Sequence, residues 1–223
     1  MAFEFQFQPV LAQSDVLLDG LYLTLELAGT GIVLGGLLGT LLAVLRGVVP
    51  VLRWPIGIYV EVVRNTPFLV QLFIVYLGLP EAGIRMTAEQ AAVLTMTFNL
   101  GAYATEIVRA GLESVHKSQI EAGLSLALTR WQVFRHVVLG PALARVWPSL
   151  SSQFVLMLLS SSVFSFISVQ ELSGAASNVE QDTFRSFETY IVITVLYLGL
   201  AMALRVILAV LGRLLFAAPV RAR

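Results

Sequence analysis

The chain has 223 residues, 57% of them hydrophobic and 13% charged, with 14 Lys and Arg against 14 Asp and Glu. A mean hydropathy of +0.85 is too apolar for a soluble domain of this length and fits a multi-span membrane protein. Zero net charge argues against nucleic acid as a partner. The absence of cysteine removes disulfides, thiol catalysis and thiolate metal sites.

Residues 1–20 carry no Lys or Arg and no long apolar core. They read as a lead-in on the membrane surface, not as a signal peptide. Leu21 to Leu45 is apolar except for Glu26, long enough to cross ~30 Å of hydrocarbon at about 1.5 Å per residue. Its glycines (Gly29, Gly31, Gly35, Gly36, Gly39) either admit a close neighbouring helix or are simply the glycines common in membrane helices. After Arg46 and Arg53 comes a second apolar stretch, 55–79, interrupted by Glu61, Arg64 and Pro67. Thr66 followed by Pro67 reads as an N-cap and an N1 proline, which predicts a break and a new half-helix running to Leu79. Further spans are expected at 88–112, 146–169 and 188–215, with a short tail at 216–223. The expected fold is therefore an all-α integral membrane protein with five transmembrane helices.

The only long polar interval lies between the third and fourth spans, from Glu113 to Pro148. In its first half Ile120, Leu124, Ala127 and Leu128 recur at spacings of three and four and make one apolar stripe. Thr129 is placed to cap a second helix with Val133, Phe134, Val137 and Val138 on its apolar face and Arg130, Arg135 and His136 on the polar one. Gly140 and Pro141 are expected to end it. Two short amphipathic helices at this place either lie on lipid or dock into another protein. Most basic residues, among them Arg46, Arg53, Lys117, Arg130, Arg135, Arg145, Arg213, Arg221 and Arg223, fall on the side of this loop, while Arg85 and Arg185 fall on the other. The positive-inside rule then predicts a cytoplasmic loop at 113–145, a cytoplasmic C-terminus and an N-terminus outside.

Glu121, Ala122, Ala127, Val137 and Leu139 stand at the spacings of the motif named after Glu-Ala-Ala. The stretch resembles the cytoplasmic coupling loop of permease subunits in ATP-driven (ABC) importers. It departs from that motif at Gly123 for the second Ala, at Ala127 for the Gly, and at Gly140 with Pro141 for the terminal Pro. The resemblance extends further. Tyr59-Val-Glu61-Val-Val-Arg64-Asn-Thr66-Pro67, the stretch Asn99-x-Gly101-Ala102-Tyr103-x-x-Glu106-Ile107-x-Arg109, and Thr183-Phe184-Arg185-x-Phe187-Glu188 are each similar to segments of polar amino-acid importer permeases, the family of the histidine and glutamine permeases. Many members have Lys-Asp or Lys-Asn in the fourth span, where this chain has Leu159 and Ser160 followed by Ser161 and Ser162.

The resemblance implies that Glu121, Ala122, Gly123, Ala127, Arg130 and Arg135 couple to an ATPase. It makes Glu61, Arg64, Thr66, Asn99, Ser160, Ser161 and Ser162 candidates for the substrate pathway. Each has a plainer reading. Glu61 with Arg64, and Glu106 with Arg109, sit at i and i+3 and can neutralise one another on one helix face. Serine and asparagine within spans often serve only as hydrogen bonds between helices. The loop arginines and His116 can equally meet anionic lipid headgroups, and the two histidines have no carboxylate at ligand spacing to make a metal site.

No Gly-x-x-x-x-Gly-Lys-Ser/Thr and no catalytic triad pattern occurs, so the chain is not expected to be an enzyme. As a resemblance, the chain is expected to be the permease subunit of a bacterial inner-membrane importer for polar or charged amino acids. It binds no cofactor itself, ATP and Mg being held by two partner ATP-binding subunits. Its other partners are a periplasmic substrate-binding protein, membrane lipid and a second permease chain, for which the uncharged serines favour a paralogue. Two other classes compete with that reading. One is an ion-gradient-driven secondary transporter or channel using Glu26, Asn99 and Glu106, and the other is a small membrane scaffold.

Overall fold

In hydrocarbon a backbone amide must find its partner within the protein, and helices meet that condition along most of the described residues. The computed structural model describes residues 5–216 and shows no strand among them. Expectations about residues 1–4 and about 217–223, including Arg221 and Arg223, lie outside the described residues. The helices are α1 (Gln8–Leu11), α2 (Ser14–Val48), α3 (Arg53–Arg64), α4 (Phe68–Phe73), α5 (Leu79–Glu81), α6 (Ala88–Glu113), α7 (Lys117–Ser125), α8 (Arg130–Val133), α9 (Leu139–Ser160), α10 (Leu172–Thr183) and α11 (Ser186–Phe216). Four helical stretches are long and apolar enough to cross a membrane: Ser14–Val48, Ala88–Glu113, Arg130–Ile167 and Ser186–Phe216. A bent pair, Pro50–Arg64 and Phe68–Glu81, turns through 109° at its break and makes a fifth candidate when counted as one span.

The glycines of α2 have a packing reason. Gly31, Gly35 and Gly39 lie against Met96, Leu100 and Ala104 of α6; a Cβ on Gly31 would come 2.6 Å from the Met96 sulfur, and one on Gly35 2.8 Å from Leu100 Cβ. Close approach of α2 to α6 therefore depends on them. A Cβ on Gly29 would meet nothing within 4 Å among the described residues. Around this pair Leu72, Ala92, Leu158 and Phe164 close the largest apolar cluster.

One expectation fails here, and for a physical reason. Gly140 and Pro141 do not end the loop's second helix; α8 runs through a π-helical turn, Phe134–Val138, directly into α9. Proline inside an α-helix clashes with the carbonyl four residues back. Here that carbonyl belongs to Val137, inside the widened π turn, which accommodates the ring. Pro80 repeats the device, since its counterpart Tyr76 lies in the π turn Ile74–Gly78 between α4 and α5. The second loop helix is thus the first part of a 38-residue rod, Arg130–Ile167.

The last apolar helix has a neighbour that periodicity does not announce. α10 is capped by Glu171, whose carboxylate accepts from the amides of Ser173 (3.0 Å) and Gly174 (3.1 Å) and from the Tyr197 hydroxyl of α11 (2.6 Å). Thr24 of α2 accepts from the Leu172 amide at 3.0 Å. One buried carboxylate and one hydroxyl therefore tie α2, α10 and α11 together. At the start of α11 the buried Glu188 accepts from the Gln6 amide at 3.0 Å, which fastens the lead-in.

A coupling loop and a polar break as the candidate functional site

The loop is built as a hairpin. α7 ends in a Schellman motif: Ala127 donates to Leu124 O at 3.0 Å and Leu128 to Gly123 O at 3.3 Å, with Ala127 left-handed at φ 57°. Thr129 then caps the rod, accepting from the Gln132 amide while Gln132 reaches back to the Thr129 amide, a full capping box. Val115, Val133, Val138 and Ala142 form the hairpin's own core with Ile120, Leu128 and Val137 around it. Arg145 fastens the base by donating to Ser114 O at 2.5 Å and Ser114 Oγ at 2.7 Å.

Of the expected coupling residues, Glu121, Ala122, Ala127, Arg130 and Arg135 are exposed on this hairpin, and Gly123 is buried. Gly123 is small because of the hairpin itself: a Cβ there would lie 3.0 Å from Val133 Cγ2. Sequence reasoning missed two neighbours, Leu126 at 76% and Trp131 at 65% exposure. Large apolar side chains left open at the tip, beside an acid and two arginines, make a surface fit for a protein partner.

The second region is the break in the bent pair. Thr66 does not cap the new half-helix; Pro67 occupies the cap position, and Thr66 Oγ1 donates backwards to Val62 O (2.9 Å) and Val63 O (3.3 Å). A threonine hydroxyl finds the carbonyls freed at the end of α3 closer than any amide ahead. The residue that staples the bend is Gln71. Its amide nitrogen donates to Val63 O at 2.7 Å and Thr66 Oγ1 at 2.7 Å, and its oxygen accepts from Asn99 Nδ2 at 2.9 Å. Asn99, buried on α6, is thereby joined to the break. The signal for Gln71 was a polar side chain one turn beyond Pro67 in an otherwise apolar run.

The charged pairs divide. Glu106 binds Arg109 through two guanidinium contacts, one of them Nε to Oε2 at 3.1 Å, and Arg46 approaches at 3.4 Å; Arg109 also holds Glu113 at 2.6 Å. Glu61 and Arg64 form no ion pair among the described residues. Asn65 Nδ2 donates to Glu61 Oε2 at 3.0 Å, and the Arg64 guanidinium stands 5.4 Å from the centre of the Tyr103 ring. These four residues line a cleft of about 230 Å³. Ser160, Ser161 and Ser162 each donate to a carbonyl of their own helix, Leu156 O, Leu158 O and Leu159 O, at 2.7–2.9 Å. They mark where α9 tightens into the 3₁₀ turn Ser161–Ile167, and Ser161 is fully buried. Ser160 and Ser162 are half-buried.

A helical body with four long apolar helices, one bent helix pair and a polar hairpin between two of the long helices fits a transport permease. The family of binding-protein-dependent transport system inner membrane components matches residues 31–216, and the chain belongs to it as a multi-pass inner-membrane protein. The glutamine transport system permease protein GlnP of Escherichia coli (strain K12) is 33% identical over 213 residues, covering 94% of this chain and 97% of its own. The L-cystine transport system permease protein TcyB of Bacillus subtilis (strain 168) is 35% identical over 165 residues, covering 74% and 70%. A crystal structure described as an amino acid ABC transporter with histidines superposes with a TM-score of 0.87 at 31% identity, covering 95% of this chain and 99% of that one.

Proposed function

We propose that the chain moves amino acids across the bacterial inner membrane by alternating access, driven by two ATP-binding subunits that dock on the hairpin and carry ATP and Mg. A periplasmic binding protein delivers the substrate, and a second permease chain completes the pathway. The single observation that carries this is the fused rod. The docking surface around Glu121, Leu126, Trp131 and Arg135 sits at one end of Arg130–Ile167, and Ser160 and Ser162 sit near the other. A push on the hairpin therefore reaches the candidate pathway through continuous helix. The substrate class is supported by the names of the relatives, and the cytoplasmic placement of the hairpin by the basic residues on its side. Glu61, Arg64, Thr66 and Asn99 line the path, with Gln71 added as the residue that holds its bend. The lack of charge at Ser160 to Ser162 favours a paralogue as the second permease.

The test is reconstitution of the chain with its ATPase, second permease and binding protein in sealed vesicles. Uptake of an amino acid should require ATP and loaded binding protein, and a crosslinker on Glu121→Cys should capture the ATPase. Uptake by the purified chain alone under a proton or sodium gradient would overturn the reading.

A further inference from the structure

Arg205 is an exposed cation in α11 with no hydrogen bond or ion pair among the described residues. Its depth follows from its neighbours. Ile193 packs with Leu17, Tyr197 reaches Glu171 beside Thr24, and Leu200 and Leu204 face Leu25 and Ile32 across an apolar groove. Arg205 therefore stands level with the middle of the apolar run 21–45. At about 1.5 Å per residue it is roughly 13 Å or more from either end, too deep for its guanidinium to reach a headgroup.

No acid among the described residues meets it. Glu26 leaves α2 on the stripe of Tyr22, Val33 and Leu37, away from the groove. Arg205 leaves α11 on the opposite flank, on the stripe of Leu208 and Gly212, which contact Trp147 of α9. Beyond Trp147, α9 turns outward Ser149 and Ser152, both exposed, and among the described residues neither these two nor the buried Ser151 hydroxyl has a hydrogen-bond partner. α11 is also the least covered of the four continuous spans, with 11% of its apolar window buried against 61% for α6.

An ionised side chain within a span is paired or faces a protein interior. A passing substrate carboxylate is present only during transport, so between cycles the charge needs a resident counter-ion. We propose that Arg205 pairs with a carboxylate of the second permease chain, and that the flank formed by Arg205, Met202 and Ala209 with the serine face of α9 is where that chain packs. This rests on the reading that the transporter holds two permease chains.

Because the chain has no cysteine, single replacements report cleanly. In the complete transporter, Met202→Cys and Ala209→Cys carrying a benzophenone maleimide should crosslink to the second permease, and Val33→Cys on the far side of α2 should not. Arg205→Leu should lower the fraction of complexes retaining both permeases in native mass spectra at least fivefold, and Arg205→Lys should restore most of it. Failure of both α11 positions to crosslink, in a complex shown to hold two permease chains, overturns the packing surface alone. Crosslinking together with unchanged assembly of Arg205→Leu overturns the ion pair. A complex with a single permease chain overturns the two-permease reading, and this inference with it.

Discussion

Replacing Ala127 by glycine should strengthen the hairpin, although it removes a side chain that a helix would favour. Ala127 holds φ 57° to close the Schellman motif, and the left-handed region costs an L-residue roughly 1–2 kcal/mol. Glycine removes that strain but loses about 0.5–1 kcal/mol to the greater freedom of the open chain. The net gain is about 0.5–1 kcal/mol, which slows local opening up to about fivefold. The readout is amide exchange at Leu128, bonded to Gly123 O at 3.3 Å, and at residue 127, bonded to Leu124 O at 3.0 Å. Exchange there should slow in Ala127→Gly and quicken in Ala127→Val, whose branched Cβ fits the left-handed region worse. Equal exchange in all three proteins would refute the claim that the turn stores strain.

Three other outcomes are expected. Gly123→Trp should drive α7 off Val133 and Val137, an overpacking of about 1–3 kcal/mol, and abolish stimulation of the ATPase by loaded binding protein while the chain still inserts; wild-type stimulation would show that the hairpin does not couple. Gly35→Leu should push α2 from Leu100 at a similar cost of about 1–3 kcal/mol, read as a lowered melting temperature in detergent, whereas Gly29→Ala, whose Cβ would meet nothing within 4 Å, should leave it unchanged. Asn99→Leu removes the donor to Gln71 Oε1 and leaves that oxygen without its buried partner, costing roughly 1–3 kcal/mol; uptake should fall more than expression, and an unaltered uptake rate would sever Asn99 from the path.

How far the sequence could be read depends on the range of the interaction concerned. The break at Pro67, the cap at Thr129 and the i, i+3 pair of Glu106 with Arg109 are local effects, and each is visible in a few consecutive residues. Gly140 with Pro141 misled because the compensation, a π turn over Phe134–Val138, has no residue signature of its own. The burial of Gly123 depends on Val133 across the turn, and the role of Gln71 on Asn99 of another helix. α10 escaped notice because its cap is a glutamate, held in place by Tyr197 and Thr24 from distant helices.

The fused rod also explains why the loop's two halves differ in composition. α7 is a separate helix that touches the rod through small residues and valines, so its position is set by the hairpin core. The rod's first turns are fixed by the capping box and by Arg145 at the base. A partner that grips Glu121 and Trp131 together holds both halves, and any rotation it imposes must move Arg130–Ile167 as one body unless the π turn yields. The widened turn at Phe134–Val138 interrupts the regular α-helix between the exposed hairpin tip and Pro148, and it is there that this part of the rod can absorb motion. On the proposed function, coupling then requires the turn to stay closed under load. Pro141 secures this by occupying the space that a collapse to regular α-helix would need.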